Sequence, residues 1–323
     1  MMDFAVWPRD AGAASLRAVS REQVLRGFGA KRSANADPWR PSTSIAASTK
    51  ADYIVDSEAL ENRPQSFRTL QAAVDQALWD DSKTPSGVRR VIRLSPGFFE
   101  GPVYLPAGGP PLSIFGAGPG KTILAARIDA QMPGAEYEKR FGTKFFGSVP
   151  AILAQFASIA ARERITTGNS AVLRIARDDT IVAGLTIRND YACDRREAAP
   201  RGAEPDAEGR YSQGQHQAVA CHVARADRVR LHALNLESYQ DTLYLEAPAL
   251  WIGRSYVTGC RIAGDVDFIF GGATAIFEQC EIQSRGKRGA RSWAVAPSTK
   301  LNMPHGFVFD DCRFTHDGSE TGR

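Results

Sequence analysis

The chain has 323 residues, 43% hydrophobic and 24% charged, which is enough to bury a substantial core without disulfides. No run of about 18 apolar residues occurs, which excludes a membrane-spanning helix, and no basic arm, zinc finger or RNA-binding signature points to nucleic acid. The 40 basic and 36 acidic residues leave a net charge of +4, a mild bias toward an anionic partner such as an acidic polysaccharide or a phosphate.

Residues 1 to about 50 are rich in Ala, Ser, Arg and Pro without periodicity, and are expected to be a loosely ordered lead-in. Met1 to Ser20 carries Arg9 and Arg17 but no apolar core of signal-peptide length. From Ser66 to Trp79, apolar residues at Phe67, Leu70, Val74, Ala77 and Leu78 recur at helical spacing. That pattern predicts a helix N-capped by Ser66, shielding one end of a core.

From Val88 the pattern changes to short strands punctuated by Gly and Pro, namely 91–94, 103–105 and 112–115. The run Gly116 to Thr122 invites a phosphate-loop reading, but Phe115 stands where that motif needs Gly and no helical pattern follows, so a turn is expected. Residues 125–167 break the strand rhythm, with a polar, aromatic first half and a helical second half, and read as an insertion over the body of the domain.

After Asn169 a repeat emerges. Gly184-Leu185-Thr186-Ile187, Ala233-Leu234-Asn235-Leu236, Gly259-Cys260-Arg261-Ile262, Gln279-Cys280-Glu281-Ile282 and Asp311-Cys312-Arg313-Phe314 share one form, an apolar residue or Cys, a polar residue, then an apolar one. Units of 20 to 30 residues with variable turns predict a solenoid of stacked coils. The fold class is therefore expected to be all-β, a parallel β-helix, with the solenoid domain spanning 51–323 and an N-terminal capping helix. A β-sandwich would not explain the recurring Leu/Cys position. Cys260, Cys280 and Cys312 share that position, so they either form a disulfide between adjacent coils or pack as small buried thiols.

Two acidic runs stand out, Tyr239-Gln240-Asp241-Thr242-Leu243-Tyr244 and Gly264-Asp265-Val266-Asp267-Phe268-Ile269-Phe270-Gly271, each with almost no local basic partner. A coil of 26 residues would set Asp241 and Asp267 on neighbouring coils. Two such carboxylates in a poorly solvated site cannot both ionise easily, which divides them into a nucleophile and a general acid/base. Gln240, and Gln217 one coil earlier, supply neutral N–H donors suited to an oxyanion. Carboxylate pairs also cleave glycosides; the glutamines tilt the expectation toward acyl chemistry, and the lack of a Gly-x-Ser-x-Gly elbow argues against a serine hydrolase.

Gln217-Ala218-Val219-Ala220, Tyr239 to Leu243 and Asp267 to Gly271 resemble, in order and approximate spacing, three signature motifs of the pectin methylesterases. Weaker likenesses at 67–74 and 96–100 extend the resemblance over roughly 67–314, with a bacterial flavour. It implies a right-handed parallel β-helix that hydrolyses methyl esters of galacturonan (pectin) through an aspartyl acyl-enzyme, releasing methanol without metal or other cofactor. By motif, Asp267 would be the nucleophile, Asp241 the acid/base, and Gln217 and Gln240 the oxyanion donors. Val266, Phe270 and Tyr244 would line the sugar groove, and Cys260–Cys280 would form a disulfide.

The resemblance also implies a secreted or periplasmic, monomeric enzyme whose partner is an acidic polysaccharide. The family's Leu-Gly-Arg-Pro-Trp motif is absent from the sequence, which reads as C-terminally truncated, with coils missing and Arg323 near where the motif would begin. Two alternatives stay open: a related esterase or thioesterase on another acyl substrate, such as an acyl thioester, and a non-catalytic polysaccharide-binding solenoid. A calcium-dependent lyase fits poorly, because the acidic runs do not supply a cluster of oxygen ligands.

Overall fold

A computed structural model describes residues 19–27, 37–42, 50–59, 65–248, 252–289, 291–301 and 303–318. Its strands are two to six residues long, and every strand pairing is parallel. They sort into sheets of nine, seven and six strands. Within each sheet the neighbours come from successive coils, so the chain winds through all three sheets once per turn. This is the parallel β-helix that the repeat predicted.

Alternation along each strand builds the core. On the nine-stranded sheet, Ile92, Ile114, Val182, Leu231, Val257, Phe277 and Phe309 follow one another in register on the inner face. The first six are at most 2% exposed. The Phe277 and Phe309 rings stack at 4.6 Å and 12°.

The sequence repeat has a backbone cause. Its first residue, Gly184, Ala233, Gly259, Gln279 or Asp311, has positive φ on every coil. Its N–H bonds the next coil for the first four, as in Ala233 to the Thr258 carbonyl at 2.9 Å. This left-handed corner turns the chain from the nine-stranded sheet into the seven-stranded one, and the next residue, Leu or Cys, then points inward.

Helix α1 (Arg21–Val24) belongs to the stretch expected to be loose, yet Val24 and Leu25 are buried against Tyr256 and Ile276 of the nine-stranded sheet. The capping helix is present as α2 (Leu70–Lys83), burying Leu70, Gln71, Ala73, Val74 and Ala77. Its N-cap is Thr69, whose hydroxyl accepts from the Ala72 N–H at 3.2 Å. Ser66 and Phe67 form a strand instead, because pairing with Ile54 and Val55 satisfies the backbone there better than one more helical turn. The Gly116–Thr122 stretch is a turn leading into the strand Thr122–Ala126, with the Ala117 N–H held by the Thr122 hydroxyl at 2.9 Å.

The insertion folds as α3 (Gly134–Phe141) and α4 (Pro150–Ala160). Tyr137, Phe141, Phe145 and Phe156 knit the two helices together, and Phe145 stacks on Tyr104 of the six-stranded sheet at 4.9 Å. No described helix is long and apolar enough to cross a membrane.

Candidate active site

The six-stranded sheet runs through Val103–Leu105, Leu173–Ile175, Cys221–Ala224, Leu243–Glu246, Val266–Gly271 and Trp293–Pro297. Its outer face carries a column in register: Tyr104, Arg174, His222, Tyr244, Phe270, Ala296. Helices of the insertion cover the Tyr104 end. The middle is a stack of three parallel rings, with Tyr244 4.3 Å from His222 on one side and 4.3 Å from Phe270 on the other. His222 is fixed at both nitrogens, to the Gly168 carbonyl and to Glu246, each at 2.9 Å.

Asp241 and Asp267 sit at the edge of this column. The pairs Leu243–Ile269 and Tyr244–Phe270 set a 26-residue offset, and 241 + 26 = 267, so the two aspartates occupy equivalent places on adjacent coils. Both have positive φ, 68° and 49°, a strained setting for a side chain that bears a Cβ. The Asp241 N–H is tied to the Val266 carbonyl at 3.0 Å. Asp267 lies where the strand's register shifts between Val266 and Ile269. Gly264 permits that irregularity: a Cβ there would fall 2.2 Å from the Cβ of Phe268, so only glycine lets the Phe268 side chain fold back into the core.

The two carboxylates differ in environment. Asp241 is 7% exposed, and burial, then the neighbouring charges of Asp267 and Asp265, pushes its pKa up to about 8. Asp267 is less buried and is raised by desolvation alone. Near neutral pH the arrangement therefore pairs a protonated Asp241 with an Asp267 that gives up its proton more readily. Among the described residues no cation bonds either carboxylate.

Gln217 and Gln240 form a parallel bridge, and the following residues of that row are Val266 and Trp293. The amide oxygen of Gln240 accepts from the His216 N–H at 3.1 Å, which leaves its NH2 as the free, donating end. The Gln217 side-chain oxygen is buried without a partner. One row of the site thus holds two amides and the adjacent row two carboxylates, the arrangement that acyl transfer requires: a nucleophile, an acid and oxyanion donors.

A Pectinesterase family profile matches residues 209–322, the stretch that contains this constellation. The pectinesterase of Sitophilus oryzae is 29% identical over 284 residues, covering 87% of this chain and 65% of that protein. The solved rice weevil pectin methyl esterase superposes with a TM-score of 0.76 at 27% identity, over 95% of this chain and 72% of that one. A pectin methylesterase solved in complex with a hexasaccharide gives 0.61 at 27% identity, over 84% and 67%. The chain is similar to pectinesterases over most of its length. It spans just under two thirds of the length of the Sitophilus protein.

In this chain Asp241, Asp267, Gln217 and Gln240 are gathered in one place, with Val266 beside Gln240 and with Tyr244 and Phe270 stacked next to them. Cys260 and Cys280 are not bonded to each other; all five cysteines are free thiols. In-register strands hold the two side chains parallel, and each thiol donates along its own corner, Cys260 to the Thr258 carbonyl and Cys280 to the Glu278 carbonyl, both at 3.4 Å. Arg323 lies outside the described residues.

Four features of the site escaped the sequence reading. His222 stacks on Tyr244, and His216 orients Gln240 while accepting a hydrogen bond from the Tyr191 hydroxyl at Nδ1, 2.8 Å away. Asp265, in a run with almost no local basic partner, is fully buried in a two-pronged pair with the distant Arg288, at 2.7 and 2.9 Å. Trp293 stands half-exposed at the end of the glutamine row. Only the basic run 285–291 signalled any of this, and the acid it serves lies some twenty residues upstream.

Proposed function

We propose that this chain hydrolyses methyl esters of galacturonan. The observation that carries the reading is the pair of unequal, unpaired carboxylates one coil apart beside two glutamine amides. An ionised Asp267 oxygen attacks the ester carbonyl carbon, and Gln217 and Gln240 donate to the oxyanion that forms. The C–OMe bond then breaks as Asp241 passes its proton to the departing methoxide, giving methanol and an acyl-aspartate. Asp241, now a carboxylate, takes a proton from water. The resulting hydroxide attacks the acyl carbon, and Asp267 leaves as a carboxylate. Atoms and charge balance without any further reactant.

The hexasaccharide bound by a relative of this fold, the stacked Tyr244 and Phe270 rings beside the carboxylates and the half-exposed Trp293 support an acidic polysaccharide as substrate, since aromatic faces suit sugar rings. Such a substrate implies work outside the cytoplasm, in the periplasm or the medium. Methanol release from esterified pectin is the direct assay. Asp267→Asn is expected to lower it by at least about 10³-fold; full activity in that variant would show the mechanism to be wrong. Galacturonan binding with no methanol released by the wild type would instead identify a binding solenoid.

A further inference from the structure

The strand that carries Asp267 holds one residue more than the strand after it. Val266 pairs with Trp293 and Ile269 with Val295, so three steps on one strand match two on the other. Such a bulge re-aims the side chains inside it, and those inside this one are Asp267 and Phe268. Asp267 also has a φ of 49°, a conformation that persists only where the surroundings over-determine it. The groups that fix the bulge lie just upstream, at Asp265.

The Asp265 N–H donates to the Tyr239 carbonyl at 2.9 Å, and its own carbonyl accepts from the Trp293 N–H at 2.9 Å. Its carboxylate accepts from the Val266 N–H at 2.7 Å and from Nε and Nη2 of Arg288 at 2.7 and 2.9 Å. The coil of Asp241, the bulge and the following coil therefore all meet at one buried ion pair.

Arg288 reaches the amide row as well. Its Nη1 donates to the Tyr211 carbonyl at 3.3 Å. The Tyr211 ring lies parallel to His216, at 5.9 Å and 5°, and the His216 N–H is the donor that orients Gln240. The loop that carries Arg288 is itself held, by the Arg285 N–H on the Gly264 carbonyl at 2.7 Å and by the Arg285 guanidinium 4.0 Å over the Tyr239 ring. A planar fork with a further donor can span these groups at once, which an ammonium cannot.

We propose that Arg288, through Asp265, is a positioning residue for the reaction. It touches no reacting atom; it holds the Asp267 bulge and the Gln240 amide in register with Asp241. The inference rests on the ester-hydrolysis reading above. Arg254 and Asp227, an equally buried pair on the nine-stranded sheet, provide the control for a purely structural role.

The test uses the full chain. kcat and KM for methanol release from esterified pectin are measured separately for wild type, Arg288→Ala, Arg288→Lys and Arg254→Met, below the melting transition of every variant. Crystal structures of wild type and Arg288→Ala accompany the kinetics. A misplacement of about 1 Å costs about 100-fold, so Arg288→Ala should lower kcat by about that factor with KM within about twofold, and Arg288→Lys by about tenfold. Millimolar guanidinium, which can enter by the cleft that Arg288 borders, should return about tenfold of the Arg288→Ala loss. Arg254→Met should melt at lower temperature yet keep kcat within about twofold.

Full kcat in Arg288→Ala would overturn the proposal, as would equal kcat losses in Arg288→Ala and Arg254→Met, or a raised KM with kcat unchanged. Should Arg288→Ala fail to fold, full kcat in Arg288→Lys would overturn it equally. A wild type that releases no methanol, with Asp267 displaced in the Arg288→Ala crystal, would uphold the positioning role while removing the esterase reading. Methanol release by wild type, with Asp267 in place and kcat unchanged in the variant, would do the reverse.

Discussion

Asp227 and Asp241 are both buried, at 3% and 7% exposure, and lie half a coil apart on the same solenoid turn. Asp227 accepts from the Arg254 backbone N–H at 2.9 Å, from Arg254 Nε and NH2 at 2.9 and 2.7 Å, and from Arg228 at 3.1 Å. Arg254, itself 0% exposed, also reaches the Leu25 carbonyl and Asp37, riveting the N-terminal segment to the nine-stranded sheet. Asp241 has no such partner; its nearest charges are negative. A buried carboxylate saturated with donors belongs to the architecture. One left with other carboxylates is held in a state that costs stability and is free to move a proton.

Removing the partner at the first place should cost the most. Arg254→Met leaves Asp227 buried with a single guanidinium, and breaking a buried pair from one side typically costs about 3–5 kcal/mol. A fall in melting temperature of roughly 10 °C is expected, together with faster proteolysis of the segment around Leu25. An unchanged melting curve would mean that the rivet carries no load and the contrast with Asp241 is empty.

At the second place the sign reverses. In the fold the Asp241 pKa stands at about 8 against 3.8 for the free side chain, so the native state holds the proton more tightly than the unfolded one. Its contribution to stability is fully present below about pH 4 and is lost as pH rises through the folded value near 8. Asp241→Asn removes that loss. Near pH 8 it should stabilise the chain by on the order of 2 kcal/mol, less than the full linkage because the buried Asn amide must itself be desolvated, while reducing methanol release about 10³-fold. Thermal melts from pH 5 to 9 decide this: the gap between variant and wild type should open with rising pH. A variant that is less stable at every pH would contradict the assignment.

The sequence revealed both the solenoid and the carboxylate pair, and for the same reason. A corner of positive φ followed by an inward Leu or Cys recurs in a form that can be counted, and the count places Asp241 and Asp267 one coil apart. It revealed the long-range partners poorly. Nothing near Asp265 in the sequence announces Arg288, nothing near Leu25 announces Arg254, and Thr69 displaced Ser66 as N-cap because of a strand pairing with residues upstream. Contacts between segments of unrelated spacing depend on how loops close, and no periodicity encodes that.

The thiol stack sharpens the comparison as a third case, neither charged nor chemically engaged. Hydrogen bonding to Cys260 comes first among the causes that push the Cys280 thiol up to about 12, so at neutral pH it is a small neutral group in the core. Cys280→Ala removes one sulfur from a packed row and should cost about 1 kcal/mol, a shift of a few degrees with little effect on turnover. Reductant should leave the wild-type melting temperature unchanged, and thiol titration of the unfolded chain should return five free groups. A disulfide between Cys260 and Cys280 would instead add about 3 kcal/mol that reductant removes. Three titratable thiols and a reductant-sensitive melt would therefore replace the ladder with a covalent staple.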